Sequence, residues 1–382
     1  MKVDISVAGV FHSYHLAYQL YKHGMLGKLI CSYPRSYLRN KFDIEIPSEN
    51  FSGNYIQYLK YFLKYAHIRN NRLNSKLNDL HDILASHALS SDLDIVVGWS
   101  GNSLRTLNAA KKINVRTIIV RGSAHIVEQS RILRDEYDSM GMGFNLCQDV
   151  IKKEIDEYEV ADYVQTNSSF AASTFIKMGV PEEKIIMCNT GVDLTQFKQI
   201  KKEDNVFRII TAGTLSIRKG SYYLLKAFTE LDIPDAELWH IGAVHPEMNK
   251  ILRKYDHKNI KYLGYKPYSE LYKYYSQGSV FLFPSLEEGL AVVQAQAMAC
   301  GLPIICTTNS GGADFLTKNR KEGFIIPVCD TEQIKEKIWY LYSNRDKCIE
   351  MGGNAKERIS KGYTWDDYGL KIVNKYKKLI ER

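Results

Sequence analysis

Phe283-Pro-Ser-Leu-Glu-Glu-Gly-Leu-Ala-Val-Val-Gln-Ala-Gln-Ala-Met-Ala-Cys-Gly-Leu-Pro-Ile-Ile305 decides the architecture. It starts where a short apolar run, 279–283, ends, so a buried strand delivers Pro284 and Ser285 to the carboxyl edge of a sheet. Glu287 and Glu288 follow at that edge, and Gly289 opens a helix whose first amides face the same crevice. Pro303 then begins another β-branched run. Carboxylates at such an edge accept from paired sugar hydroxyls, while helix N-terminal amides and nearby cations take phosphate charge. The segment therefore reads as a site for a polyhydroxylated phosphate ester.

The same alternation extends in both directions. Strands are expected at 2–8, 28–32, 95–99, 116–121, 163–167 and 184–189, and again at 207–212, 237–241, 260–263, 279–283, 303–306 and 323–328. Helices fall between them at 15–23, 103–112 and 169–178, with Ser103 and Ser169 as caps. A polar stretch, 198–205, interrupts the pattern as a linker. The expectation is α/β: two Rossmann-like doubly wound domains, 1–197 and 206–365, facing across a cleft at the carboxyl ends of their sheets. A chain of 382 residues, 45% hydrophobic and 25% charged, suits two such cores and excludes a disordered chain or a small secreted scaffold. Seven cysteines without a Cys-x-x-Cys pair indicate reduced thiols, a cytoplasmic location and no zinc site. Asp4 stands where a signal peptide would carry its apolar run. The uncharged stretch 289–313 holds Gln294, Gln296, Gly301 and Pro303, so it reads as helix, turn and strand and not as a membrane span. Neither a Gly-x-Gly-x-x-Gly nor a Walker loop occurs, which removes the usual support for hydride transfer and P-loop phosphotransfer.

The 283–305 block resembles the retaining glycosyltransferases of family 4, whose architecture is GT-B, two Rossmann-like domains across a cleft. In that family a Glu, seven residues and a second Glu follow the Ser; here the positions hold Glu288 and Gln296. The resemblance implies that Glu288 contacts the donor sugar and that Gln296, beside Gly289 and Leu290, is an altered ribose contact, still a donor and acceptor but without a carboxylate's charge. Gln296 as a plain helix residue is the alternative. Gly213-Thr-Leu-Ser-Ile-Arg-Lys-Gly220 looks like the segment that carries two cations for the donor diphosphate. Lys219 matches one of them. Thr214 stands where Arg is usual, and Arg218 is the nearest compensation. The loop that reads the nucleotide base falls by the same resemblance near Gly264 and Tyr265. His125, after a strand ending in Arg121-Gly-Ser, resembles the family's strand-end His near the donor sugar; a satisfied loop histidine is its alternative. Asp193 is a structural turn residue on this reading, and Asn309-Ser-Gly-Gly-Ala-Asp314 resembles the Gly-Gly loop of the opposite rim.

Gly9, His12 and His15, after the first strand, are acceptor-site candidates. Asp92-Leu-Asp94 imitates a metal motif but precedes its strand, at the wrong end for the cleft, and no metal or other cofactor is expected. The resemblance thus implies transfer of a hexosyl unit, with retention and without metal, from a nucleotide diphosphate sugar to a glycan or lipid-linked acceptor. Catalysis would rest on Glu288, His125 and Lys219. A non-catalytic nucleotide-sugar-binding subunit, motivated by Gln296, and an epimerase using Glu287 beside Glu288 are the rivals.

The formal charge of +8 adds a partner question. An insertion, 50–78, carries Lys60, Lys64, Arg69, Arg72 and Lys76 and no acid; Ile56, Leu59, Leu63 and Ala66 can share one helical face among its tyrosines. The last helix, 366–382, is expected to cross back onto the first domain, and 371–382 carry a net +4. Together these account for the excess charge, and they are expected to form one docking face for an anionic membrane surface, placing the protein peripherally at its inner side; a solvated helix covering the sheet is the alternative for the insertion. Nucleic acid is set aside, since no RNA-binding strand motif interleaves base and aromatic residues.

Overall fold

A computed structural model describes residues 1–65 and 71–381. Arg69, Ala66 and Arg382 lie outside the described residues, as do the side chains of Lys64 and Arg72.

Two parallel sheets organise the chain. The first contains β1 (Val3–Val7), β2 (Leu26–Cys31), β3 (Phe51–Gly53), β4 (Ile95–Trp99), β5 (Arg116–Arg121), β6 (Tyr163–Thr166) and β7 (Ile185–Met187) in the order β3-β2-β1-β4-β5-β6-β7. The second contains β8 (Phe207–Ala212), β9 (Ala236–Ile241), β10 (Ile260–Tyr262), β11 (Val280–Phe283), β12 (Ile304–Thr307) and β13 (Gly323–Ile326) in the order β10-β9-β8-β11-β12-β13. Nearly every strand residue between the edges is buried on both faces, which is why these runs read as continuous apolar stretches. In each sheet the order reverses beside the first strand, between β1 and β4 and between β8 and β11. Ligand crevices of open α/β sheets lie outside the carboxyl ends of the strands at such reversals. This is the GT-B arrangement of two Rossmann-like domains.

The helix Trp365–Ile380 returns to the first domain. Tyr368, Ile372, Val373, Tyr376 and Leu379 enter the same hydrophobic cluster as Val3, Ile5 and Val7. Tyr376 donates to Gln165 Oε1 at 2.6 Å, and Gln19 donates to Asp366 at 2.9 Å.

Several details depart from expectation. The 50–78 insertion is not wholly helical: β3 lies inside it and extends the sheet beside β2, ahead of the helices Ile56–Tyr65 and Asn71–Ala88. Leu59, assigned to an apolar face with Ile56, is exposed, whereas Ile56 is buried. The helix Ile56–Tyr65 touches the end of β2, where Gln57 N donates to Ser32 O, while the C-terminal helix reaches β6 through Tyr376. Ser103 starts its helix, but its hydroxyl donates to Trp99 O, and the open amides are met by Asp82 and Glu157. Ser168, not Ser169, caps the helix Ser169–Lys177.

Candidate active site between the domains

A cavity of about 1080 Å³ opens between the two sheets' carboxyl edges. Its wall includes Arg218, Tyr265, Glu288, Leu290 and Gln296 from the second domain and His12, His15, Arg121, Ser123 and Asn167 from the first.

The turn before the helix Ser221–Leu231 sets the cations. Gly220 caps that helix at φ 64°, and a Cβ there would stand 1.9 Å from Pro284 O, so only glycine lets the β8 turn lie against the loop after β11. That contact brings Lys219 Nζ into an ion pair with Glu288 Oε2 and Arg218 Nη2 to 3.5 Å from the same oxygen. Gly289 makes the corresponding approach across the cleft: a Cβ would lie 2.3 Å from Gly122 O, and Ser168 Oγ donates to Gly289 O. Glu287 points away from Glu288 into full burial, where Ser123, Ala124, Gln129 and Arg218 donate to it. Burial would raise its carboxyl pKa, but Arg218 and those hydrogen bonds outweigh it and hold the group below the usual range.

Gln296 is buried in the cavity wall and its Oε1 has no partner among the described residues; Asn167 Oδ1 and Thr190 Oγ1 on the facing wall share that condition. Buried oxygens without donors are costly unless a ligand supplies hydroxyls. Nothing in the sequence pattern marks Asn167 or Thr190, since both simply follow strand ends. Arg121, in contrast, was visible as a cation closing a strand. It lines the cavity and is held by Glu154 at 2.8 Å and Gln129 at 2.7 Å.

The other expected site residues divide. Tyr265 is exposed at the rim, and His12 and His15 line the first-domain wall, His15 stacked on Trp365 with centroids 3.6 Å apart. Burial lowers the pKa of His12 to about 4, and burial with the neighbouring His12 lowers that of His15 to about 3, so both rings are neutral at pH 7. Gly213, Thr214 and Gly264 do not line the cavity, because Thr214 turns to solvent and the carbonyl of Gly264 is taken by Gly242 N at 2.9 Å. Gly9 is also absent from the wall. His125 is not among the residues that line the cavity. Its ring packs 5.0 Å from both Tyr158 and Phe175, its Nδ1 accepts from Val127 N at 3.3 Å, and its carbonyl accepts from Gln129 N. It caps the helix Ile126–Ser139 and is buried. Asp193 turns the chain by accepting from Thr195 and Gln196. Asp92 and Asp94, at the opposite end of the sheet, bind Lys2.

Residues 193–358 match the family model described as Glycosyl transferases group 1. The second domain is a group 1 glycosyltransferase domain. Among relatives, WcaL of Escherichia coli, named as a candidate glycosyltransferase of colanic acid biosynthesis, is 25% identical over 54% of this chain and 53% of its own length. A GDP-mannose-dependent monoacylated α-(1-6)-phosphatidylinositol monomannoside mannosyltransferase of Corynebacterium glutamicum is 25% identical over 48% of this chain and 54% of its own. The chain thus spans about half the length of these relatives. Whole-chain likeness appears in structures. Sucrose-phosphate synthase of Thermosynechococcus elongatus aligns with TM-score 0.70 at 16% identity, covering 100% of this chain and 99% of that one. Anabaena HepE, solved in complex with UDP, aligns with TM-score 0.69 at 15% identity over 99% and 100%. At those identities the structures establish the GT-B fold, to which the group 1 domain contributes the second half.

Proposed function

We propose that the protein is a retaining glycosyltransferase that moves a hexosyl unit from a nucleotide diphosphate sugar to an acceptor hydroxyl in polysaccharide or glycolipid assembly. One observation carries this reading: Arg218, Glu288 and the unpartnered Gln296 oxygen share one cavity wall, and Lys219 is ion-paired with the same Glu288 oxygen that Arg218 approaches. In this reading Arg218 and Lys219, not a metal ion, take the charge of the departing diphosphate, Glu288 orients the sugar, and Gln296 accepts from a ribose hydroxyl. The acceptor attacks on the leaving-group side, its proton passing to the departing phosphate, and the neutral His12 and His15 line the acceptor's approach. Walls from two domains exclude water and restrain donor hydrolysis.

HepE with UDP and the mannosyltransferase with GDP-mannose suggest the donors to try. Mass spectrometry of the purified protein incubated with UDP- and GDP-sugars is expected to show nucleoside diphosphate release, unaffected by EDTA and lost in Lys219→Ala. Tight nucleotide binding without release from any donor favours a non-catalytic binding subunit, the reading that Gln296 in place of a carboxylate supports. We also read the helix Ile56–Tyr65 alone, with Tyr58, Phe62 and Tyr65 exposed beside Lys60, as the contact with an anionic membrane holding a lipid-linked acceptor.

A further inference from the structure

Glu287 has no exposed surface and no part in the chemistry above, yet four donors converge on it. Oε1 accepts from Ser123 Oγ at 2.5 Å and Ala124 N at 2.8 Å; Oε2 accepts from Gln129 Nε2 at 2.7 Å and Arg218 Nε at 3.0 Å. Three of these donors belong to the first domain, and the fourth is a cation of the second. The connection continues on both sides. Gln129 Oε1 accepts from Arg121 at 2.7 Å, Arg121 pairs with Glu154 at 2.8 Å, and Arg218 leads to Glu288 at 3.5 Å and so to Lys219. A charged chain therefore crosses the cleft from Glu154 to Lys219 with Glu287 at its centre.

A carboxylate offers about four acceptor positions, and a buried one is tenable only when they are filled. Here the first domain fills three, so Arg218 meets Glu287 through Nε alone. A carboxylate facing an arginine without competitors takes it bidentately. Separation of the domains would strip Ser123, Ala124 and Gln129 from Glu287 and leave it free to draw both edges of the guanidinium to itself. Approach of the domains reverses this: Nε holds Glu287 while Nη2 lies between Ser123 Oγ at 3.3 Å and Glu288 Oε2 at 3.5 Å in the cavity wall.

We propose that Glu287 is a positioning residue that makes the presentation of Arg218 depend on contact between the two domains. This rests on the reading of Arg218 as a diphosphate cation. Its consequence is that a donor bound to separated domains meets a weakened leaving-group site, so sugar is not released to water before the cleft is shut.

The test uses the full chain with Glu287→Gln, Gln129→Leu and the milder Ser123→Ala. Steady-state kinetics with the donor found active are expected to show kcat reduced about tenfold or more, KM for the donor changed by less than about threefold, and a larger share of hydrolysis over transfer. Glu287→Gln combined with Gln129→Leu is expected to be no worse than the more damaging single change, because both cut one chain. Wild-type kcat in Glu287→Gln, or effects that multiply in the double variant, would overturn the proposal. Small-angle scattering in the presence of UDP or GDP reads the domain contact without turnover, and Glu287→Gln is expected to raise the radius of gyration. An unchanged radius overturns the domain link even if the donor assignment stands. A raised radius in a protein that turns over no donor leaves the link intact and defeats the donor assignment.

Discussion

At Glu288 a single carboxylate oxygen is shared by two cations, so losing its charge leaves both unbalanced at the place where a diphosphate would arrive. Glu288→Gln is expected to lower turnover about 10²-fold while nucleoside diphosphate affinity, measured by calorimetry, holds or increases. Unchanged turnover would remove Glu288 from the chemistry. His125 predicts the opposite pattern. Replacing it by Ala deletes a helix cap and empties a space between Tyr158 and Phe175, costing about 2–4 kcal/mol in urea unfolding with kcat per folded molecule unchanged. The contrast shows what the sequence can tell about a site. Glu288 and Gln296 were legible because a strand, a turn and a helix fix their positions by spacing. His125 was not, since a residue just past a strand end turns either to the crevice or into the core, and packing with Tyr158 and Phe175 decides which.

Among elements, the turn between β8 and the helix Ser221–Leu231 shows the greatest dependence on one residue. Gly220→Ala must push the turn off Pro284 and also adopt an unfavourable left-handed conformation, so it is expected to cost well over about 1 kcal/mol and to weaken nucleotide binding together with stability. Thermal midpoints and calorimetry on one preparation check both. The strand pattern was legible because buried parallel strands are uniformly apolar, but β3 was not: three half-buried residues at an edge carry no periodicity. Caps were misjudged for a related reason. The carboxylates that meet the amides near Ser103 come from Asp82 and Glu157, distant in sequence. The helix Ile56–Tyr65 makes its own prediction. Tyr58→Ser with Phe62→Ser is expected to abolish flotation with anionic liposomes, whereas Lys375→Ala with Lys378→Ala in the C-terminal helix leaves it unchanged.

The whole molecule responds to acid through buried histidines. Burial lowers the pKa of His81 and His125 to about 4 from 6.5, with nearby Lys60 and Arg121, respectively, adding to the effect. The unfolded chain therefore binds protons first as pH falls. Their contribution to stability is full above about pH 6.5 and declines toward pH 4, by up to about 1.4 kcal/mol per pH unit for each ring, while Glu157, whose burial raises its carboxyl pKa to about 8, acts in the opposite sense. Ring-proton NMR between pH 7.5 and 5 is expected to show both rings staying neutral in the native state; a midpoint near pH 6.5 for either would show that it titrates normally. Two-domain organisation was legible from the repeated alternation of strand and helix patterns.

The returning helix Trp365–Ile380 also sets an order of assembly. Tyr368, Ile372, Val373, Tyr376 and Leu379 belong to the core around β1, so the half of the protein that leaves the ribosome first is completed last. During synthesis the second sheet can close on itself while the first still exposes the apolar groove that this helix will fill. The vulnerable species in the life of this chain is therefore a nascent one, with its catalytic-side cations already folded and its first domain waiting for its own final turns.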